Sequence, residues 1–342
     1  MPDKAILKKI LVIRTDYLGD MLTITPVINN LRRFYPQAQI KGLVNSLIGQ
    51  KVLEHLPDIS EIYRFPPQKP YGIKDVWSLL SWVRQERFDL LLAFAPRDDR
   101  ISILSLFSGA AKRVGYDLGL FSRLAYHHAI PNDRTRHEVE RNLDFLRALD
   151  LNPQTTEMVF NITQAEAQAV DELWQRLELP AQVIGIHPRS KRRVKNWDPQ
   201  RFGVLTEKLI ERYNLPVVFT GVKDDFEVIE VIRSRVKQKT HNVAGQTTLG
   251  ELAALLKRLR LFITIDSGPM HLAAALKTPQ VVLFGAGEIN KWYPWGNKEI
   301  NRIVYKEVGC QPCSLLECET MKCMQSIFVE DVLEGVASLW LR

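Results

Sequence analysis

Residues 262–276 read FITIDSGPMHLAAAL: an acid, a hydroxyl, a glycine and a proline stand between an apolar, β-branched run and a strongly helix-forming one. Ile263 and Ile265 place a strand ending at Asp266, and Met270 to Leu276 a helix, which leaves Ser267-Gly268-Pro269 as the turn between them. Proline suits a first helical turn, where its missing N–H removes no hydrogen bond. The amides of that turn and the helix dipole offer a site for phosphate, which Gly268 lets approach the backbone and to which Ser267 adds a hydroxyl. Asp266 is of like charge and cannot grip phosphate, but it can cap the helix or accept a hydroxyl from a ribose or sugar. A helix cap and a core-packed His271 explain this stretch as well as a binding loop does.

Two further segments shift that balance. HPRSKRRVKNWD, residues 187–198, follows the apolar run QVIGIH and carries Arg189, Lys191, Arg192, Arg193 and Lys195. At the end of a strand such a loop is placed to neutralise a diphosphate, although on charge alone a solvated loop or a nucleic-acid patch fits equally. IRTDYLGDMLTITP puts Asp20 just after a glycine turn at the start of a helix, where it would serve as an N-cap or as a general base for a hydroxyl.

Elements able to position these residues alternate along the chain. KKILVIRT, IKGLVN and FDLLLAFAP read as strands, with weaker candidates at EIYRF and KRVGY; QVIGIHP, LPVVFTG, LFITID and PQVVLFG read as stronger ones. After Gly19-Asp20, the positions Leu22, Ile24, Val27, Ile28, Leu31 and Phe34 form one buried helical stripe, with Pro26 in its first turn. Thr163 and Glu166 have capping-box spacing ahead of a helix that ends at Pro180, which puts a domain boundary near residue 178. The expected division is 1–178, 179–326 and a C-terminal helix over 327–342. Two α/β domains of this kind would meet ligand in a cleft between them at the carboxyl ends of their strands. Neither half carries a Gly-x-Gly-x-x-Gly fingerprint, which removes the usual support for a nicotinamide or flavin.

The formal charge of +7 favours an anionic partner. Residues 1–180 hold 23 Lys+Arg against 22 Asp+Glu and residues 181–342 hold 23 against 17, so the second half is expected to hold the anion. No run is long and apolar enough for a membrane span, and MPDKAILKK lacks the core of a secretory signal, so a cytoplasmic location is expected.

Together ILVIRTDYLGDMLTITPVINNLRRFYPQAQI, IGIHPRSKRRVKNWDPQRFGVL, NVAGQTTLGELAALL, LFITIDSGPMHLAAAL and PQVVLFG with the CQPCSLLEC tail resemble the family 9 glycosyltransferases, the ADP-heptose:lipopolysaccharide heptosyltransferases and their relatives. The resemblance implies a GT-B architecture, two Rossmann-like parallel-sheet domains facing a central cleft, and an inverting, metal-independent transfer from an ADP-sugar to a lipid-linked anionic glycan, with peripheral contact at the inner membrane face. It makes Asp20 the catalytic carboxylate and Lys195 the lysine that meets the donor diphosphate. Asp266, Ser267, Gly268, Met270 and His271 would form the donor loop, where amides stabilise the departing charge. Arg189 and Ser190 fall at phosphate contacts, Glu227 at a ribose contact, and Arg97, Arg100 and Arg113 are candidates for acceptor phosphates or carboxylates. No Asp-x-Asp triplet is present, so basic groups and a helix end would replace a catalytic metal and no cofactor is required.

Cys310, Cys313, Cys318 and Cys323 follow the spacing C-x2-C-x4-C-x4-C, a register in which four thiolates can enclose a structural zinc, reduced thiols being the other reading. A zinc knuckle beside basic loops would suit single-stranded nucleic acid, but no aromatic residue lies between these cysteines for a base to stack on, and no nucleic-acid partner is expected. The alternative on the same architecture is a nucleotide-sugar epimerase, which needs acid and base groups at the sugar ring and no acceptor.

Overall fold

Ile10 to Ile13 and Leu90 to Ala93 are fully buried, the burial expected of neighbouring parallel strands covered on both faces. The structure is a computed structural model and describes residues 7–65, 72–95, 99–313 and 315–340. The chain divides into two compact units, 1–161 and 162–342.

The first unit contains β1 (Lys9–Ile13), β2 (Gln39–Val44), β3 (Glu61–Arg64), β4 (Leu90–Ala93), β5 (Lys112–Tyr116) and β6 (His128–Ile130), in the order β3-β2-β1-β4-β5-β6. The second contains β7 (Ile184–His187), β8 (Val217–Phe219), β9 (His241–Asn242), β10 (Leu261–Ile265), β11 (Gln280–Phe284) and β12 (Asn301–Tyr305), in the order β12-β11-β10-β7-β8-β9. Every pairing is parallel. Both sheets are therefore doubly wound. The strand order reverses between β1 and β4 in one unit and between β7 and β10 in the other, where diverging connections leave a crevice outside the carboxyl ends of the strands.

Three local outcomes differ from the sequence expectation. The stripe after Gly19 is two helices, Leu18–Thr23 and Thr25–Phe34, broken at Ile24, because the Thr25 hydroxyl bonds back to Leu22 O at 2.8 Å and Pro26 opens the second helix. Asp20 thus lies inside the first turn, and the N-cap position belongs to Tyr17, which makes no side-chain cap. The helix Gln164–Arg176, opened by the expected Thr163–Glu166 capping box, packs against the helix Leu249–Arg258, with the Arg258 guanidinium 4.4 Å over the Trp174 ring. These contacts place it in the second unit, so the division falls earlier than residue 178. The C-terminal helix Val329–Trp340 packs on β12, β11 and the helix Pro199–Tyr213 as part of that unit. Among the described residues no helix is long and apolar enough to cross a membrane.

Gly115 in β5 marks a close approach, since a Cβ there would lie 2.2 Å from the Tyr126 ring, which is itself tied to Ser102. Gly115→Ala is expected to lower unfolding free energy by about 1–3 kcal/mol through overpacking, measured by urea denaturation.

Candidate active site

In the first unit the residue after β1 is Arg14, buried to 1% exposure. Its Nη2 lies 2.7 Å from Asp20 Oδ1 and 3.2 Å from Glu138 Oε1, and its Nε 2.8 Å from Asp16 Oδ2. Glu138 opens the helix Glu138–Arg147 and also pairs with Arg141 one turn along. Burial works against the Arg14 charge, but Asp20, Asp16 and Glu138 outweigh it and hold its pKa above the ordinary arginine value. Arg141 sits 5.0 Å over the Tyr116 ring, and burial pushes the Tyr116 hydroxyl up in pKa. That hydroxyl donates to Asn142 Oδ1 at 2.9 Å, Asn142 Nδ2 donates to Thr23 Oγ1 at 3.0 Å, and the Thr23 hydroxyl donates to Asp20 O at 2.7 Å. Asp20 is thereby held at both its carboxylate and its carbonyl. Its side chain keeps 19% exposure, so solvent reaches it while Arg14 stays dry.

In the second unit the loops after β7 and β10 flank the switch point. Lys195 closes a short 3-10 turn, Arg193–Lys195, and its Nζ lies 2.6 Å from Asp266 Oδ2 at the end of β10. Asp266 is buried and directly precedes Ser267, the N-cap of the helix Gly268–Ala275, which receives no side-chain cap bond from Ser267. Gly287, in the loop after β11, covers the same carboxylate: a Cβ there would stand 2.0 Å from Asp266 Oδ2. A cation, a buried acid and a helix N-terminus are thus assembled at one point from loops 71 residues apart in sequence (195 and 266). Chemically, this arrangement can offer an anion a lysine and free amides, with Asp266 as the lysine's counter-ion.

The other expected site residues scatter around these two centres. Arg189 Nε lies 3.5 Å from Asp225 Oδ1, and Ser190 N donates to Asn196 Oδ1 at 2.7 Å. Arg192 donates to the carbonyls of Cys313 and Leu315, at 3.3 and 2.8 Å, and Arg193 faces Glu317 in solvent, so much of the loop's positive charge binds the chain itself. Glu227 is exposed on the helix Phe226–Arg233. Met270 is a core residue against Val282 and Phe284, and the His271 ring packs edge-on to Trp292 at 5.8 Å. Arg100 is exposed in the first turn of the helix Asp99–Phe107, whereas Arg113 bonds Ala125 O and Ala110 O at 2.7 and 2.9 Å; Arg97 lies outside the described residues.

The four cysteines are free thiols, exposed at Cys310 and buried at Cys323. Among the described residues no three His, Cys, Asp or Glu side chains come together as a metal site. The segment that carries them braces the second unit: Cys313 N donates to Ala286 O at 3.0 Å, and Met324 and Cys323 close over Gly285. Trp197 is buried with its Nε1 donating to Ile327 O at 3.0 Å, so it is not a stacking platform for a base.

Two doubly wound parallel sheets, each with polar groups gathered at its switch point, are the paired Rossmann-like domains of a GT-B fold. The chain belongs to glycosyltransferase family 9 (heptosyltransferase), whose model matches residues 76–324, and it is an enzyme of that family rather than an epimerase. It is 30% identical over 296 residues to lipopolysaccharide heptosyltransferase 3 of Escherichia coli (strain K12), covering 82% of this chain and 83% of that one. In structure it resembles the glycosyl transferase family 9 protein from Veillonella parvula DSM 2008, with a TM-score of 0.84, 24% identity and 98% and 97% of the two chains covered. The E. coli ADP-heptose lps heptosyltransferase II superposes with a TM-score of 0.78 at 24% identity, covering 97% and 98%. Both of these structural likenesses establish the fold.

Sequence reasoning missed Arg14, Glu138, Arg141 and Gly287. Arg14 stood inside a quoted motif, but its partner Glu138 is 124 residues away and no spacing rule joins them.

Arg14→Met is expected to destabilise the first unit by about 3–5 kcal/mol, since it leaves carboxylates, one of them fully buried, without their counter-charge; denaturant titration measures it. His187, at the end of β7, donates or accepts at Thr220 Oγ1 (3.1 Å), and burial pushes its pKa down to about 4 against the Asp225 attraction. The unfolded chain takes up a proton near the ordinary value of 6.5 that the folded one refuses until about 4. Stability is therefore full above that upper value and falls by about 3 kcal/mol as pH drops through the window. His187→Asn is expected to flatten that part of the stability-versus-pH curve.

Proposed function

We propose that this glycosyltransferase moves heptose or a related sugar from an ADP-sugar to a lipid-linked, anionic glycan of the lipopolysaccharide-core type, with inversion at the anomeric carbon. The observation that carries the donor side is the Lys195–Asp266 pair at the uncapped end of the helix Gly268–Ala275. A diphosphate is the ligand such a site suits: Lys195 supplies a movable point charge, and the helix end supplies amides and the positive end of its dipole. The named relatives, a lipopolysaccharide heptosyltransferase and an ADP-heptose lps heptosyltransferase, support heptose, ADP and the glycan class.

In this reading Asp20 removes the proton from the acceptor hydroxyl as that oxygen bonds to the anomeric carbon. The bond from that carbon to the diphosphate oxygen breaks on the opposite face, and its electron pair leaves with ADP. Lys195 and the amides of Ser267 and Gly268 stabilise the charge gathering on the departing diphosphate, Lys195 exchanging Asp266 for phosphate as it does so. Arg14 keeps the Asp20 carboxylate in a fixed orientation throughout. Arg189, Ser190 and Glu227 remain candidates for the rest of the nucleotide, and Arg100 for an acceptor phosphate. With such an acceptor the enzyme works in the cytoplasm, in peripheral contact with the inner membrane face.

Asp20→Asn is expected to lower turnover at least about a thousandfold, with ADP affinity within a few fold of the parent, whereas Lys195→Ala weakens ADP at least about tenfold, both read by calorimetry and by ADP release. A thermal-shift series with ADP, UDP and GDP tests the base; selective stabilisation by UDP or GDP would remove the ADP assignment.

A further inference from the structure

The helix Leu120–Ala125 is built inside out for a helix in water. Its buried positions are the small residues Ser122 and Ala125, while Leu120, Phe121 and Leu124 point outward with 73%, 66% and 61% exposure. It packs beside the helix Asp99–Phe107, in which Ile101, Leu104 and the serines Ser102 and Ser105 are buried, while Ile103, Leu106 and Phe107 are exposed on the other side. Apolar residues on an outward face are the pattern of a surface that meets an apolar medium. Six large side chains exposed on two helices packed together exceed the scattered exposure common on surfaces.

Charge selects the medium. From Asp99 to Ile130 the chain carries Arg100, Lys112, Arg113 and Arg123 against two acids, Asp99 and Asp117. Arg113 bridges the carbonyls of Ala110 and Ala125, at the far ends of the two helices, Lys112 beside it is exposed, and Arg123 on the shorter helix pairs with Asp117 at 2.9 Å while staying 68% exposed. A second copy of the chain meeting this patch face to face would bring the same positive charge against itself. An anionic bilayer satisfies both parts, since acyl chains receive the apolar residues and headgroups receive the basic ones, and two such signals together are what stable peripheral binding requires.

We propose that the face formed by the helices Asp99–Phe107 and Leu120–Ala125 docks on an anionic lipid surface, with Leu120, Phe121 and Leu124 entering the headgroup–acyl boundary. It deepens the reading of a lipid-linked acceptor, by naming the surface that brings the enzyme to it.

Co-sedimentation with vesicles of phosphatidylglycerol and phosphatidylethanolamine in equal parts, without donor or acceptor, tests it. The parent protein is expected to bind these vesicles, to bind phosphatidylcholine vesicles at least about tenfold less, and to be released by salt. The triple variant Leu120→Ser, Phe121→Ser, Leu124→Ser is expected to lose at least about tenfold in partitioning. All three side chains lie outside the core, and circular dichroism confirms the fold. The pair Lys112→Glu, Arg123→Glu, an independent check, is expected to lower binding to the anionic vesicles and flatten its salt dependence. Parent-like partitioning of either variant, equal binding to phosphatidylcholine, or no vesicle binding with a dimer that the triple variant abolishes, would each overturn the proposal. Transfer to a deacylated, soluble acceptor glycan by the triple variant at the parent rate keeps the two readings separate, because that assay contains no lipid surface.

Discussion

A guanidinium buried to 1% exposure at the end of β1 organises the first unit. Removing such a group from water costs several kcal/mol unless its charge and donors are met. Arg14 meets that demand with carboxylates from three places: Asp16 in the loop, Asp20 in the following helix and Glu138 in a helix far along the chain. Each partner is thereby held against the carboxyl end of the sheet. Of the three carboxylates only Glu138 is fully buried; Asp16 and Asp20 keep contact with solvent, and Asp20 takes a fixed orientation from Arg14.

The second unit solves the same problem with opposite sign. Its strand order repeats that of the first, so the crevice again opens where the order reverses, and again the loops there carry the polar groups. The accessible group is a cation, Lys195, and the buried one an acid, Asp266. The remaining basic residues of that loop mostly serve the structure: Arg189 meets Asp225, and Arg192 ties the loop to the cysteine segment. Net positive charge in the sequence was a fair guide to where an anion is expected, and a poor guide to which residue would meet it.

The Lys195–Asp266 pair and the apolar face of the first unit differ in kind. The pair is polar and made from loops at a switch point, whereas the apolar face is made of two helices whose outward residues break the ordinary pattern of a water-facing surface. Its amphipathicity is reversed in one helix and absent in the other. This is legible only once burial is known, since the sequence LFSRLA alone reads as an unremarkable short helix.

Much of the architecture was legible beforehand because buried parallel strands are written as short apolar runs, and nine of the twelve were found that way. The three missed, β6, β9 and β12, begin with His128, His241 and Asn301, and they are short or polar enough that only neighbouring strands define them. The types of Asp20, Lys195 and Asp266, and their places in the segments that follow β1, β7 and β10, were likewise determined by sequence, since local propensity sets where strands stop and helices start. Partnership was not. That Arg14 closes on Glu138, that Lys195 rather than its basic neighbours finds Asp266, that Gly287 leaves room for that carboxylate and that Trp197 turns inward were decided by packing between segments far apart in the chain. Charge attraction and steric exclusion act across space and have no fixed period along a sequence.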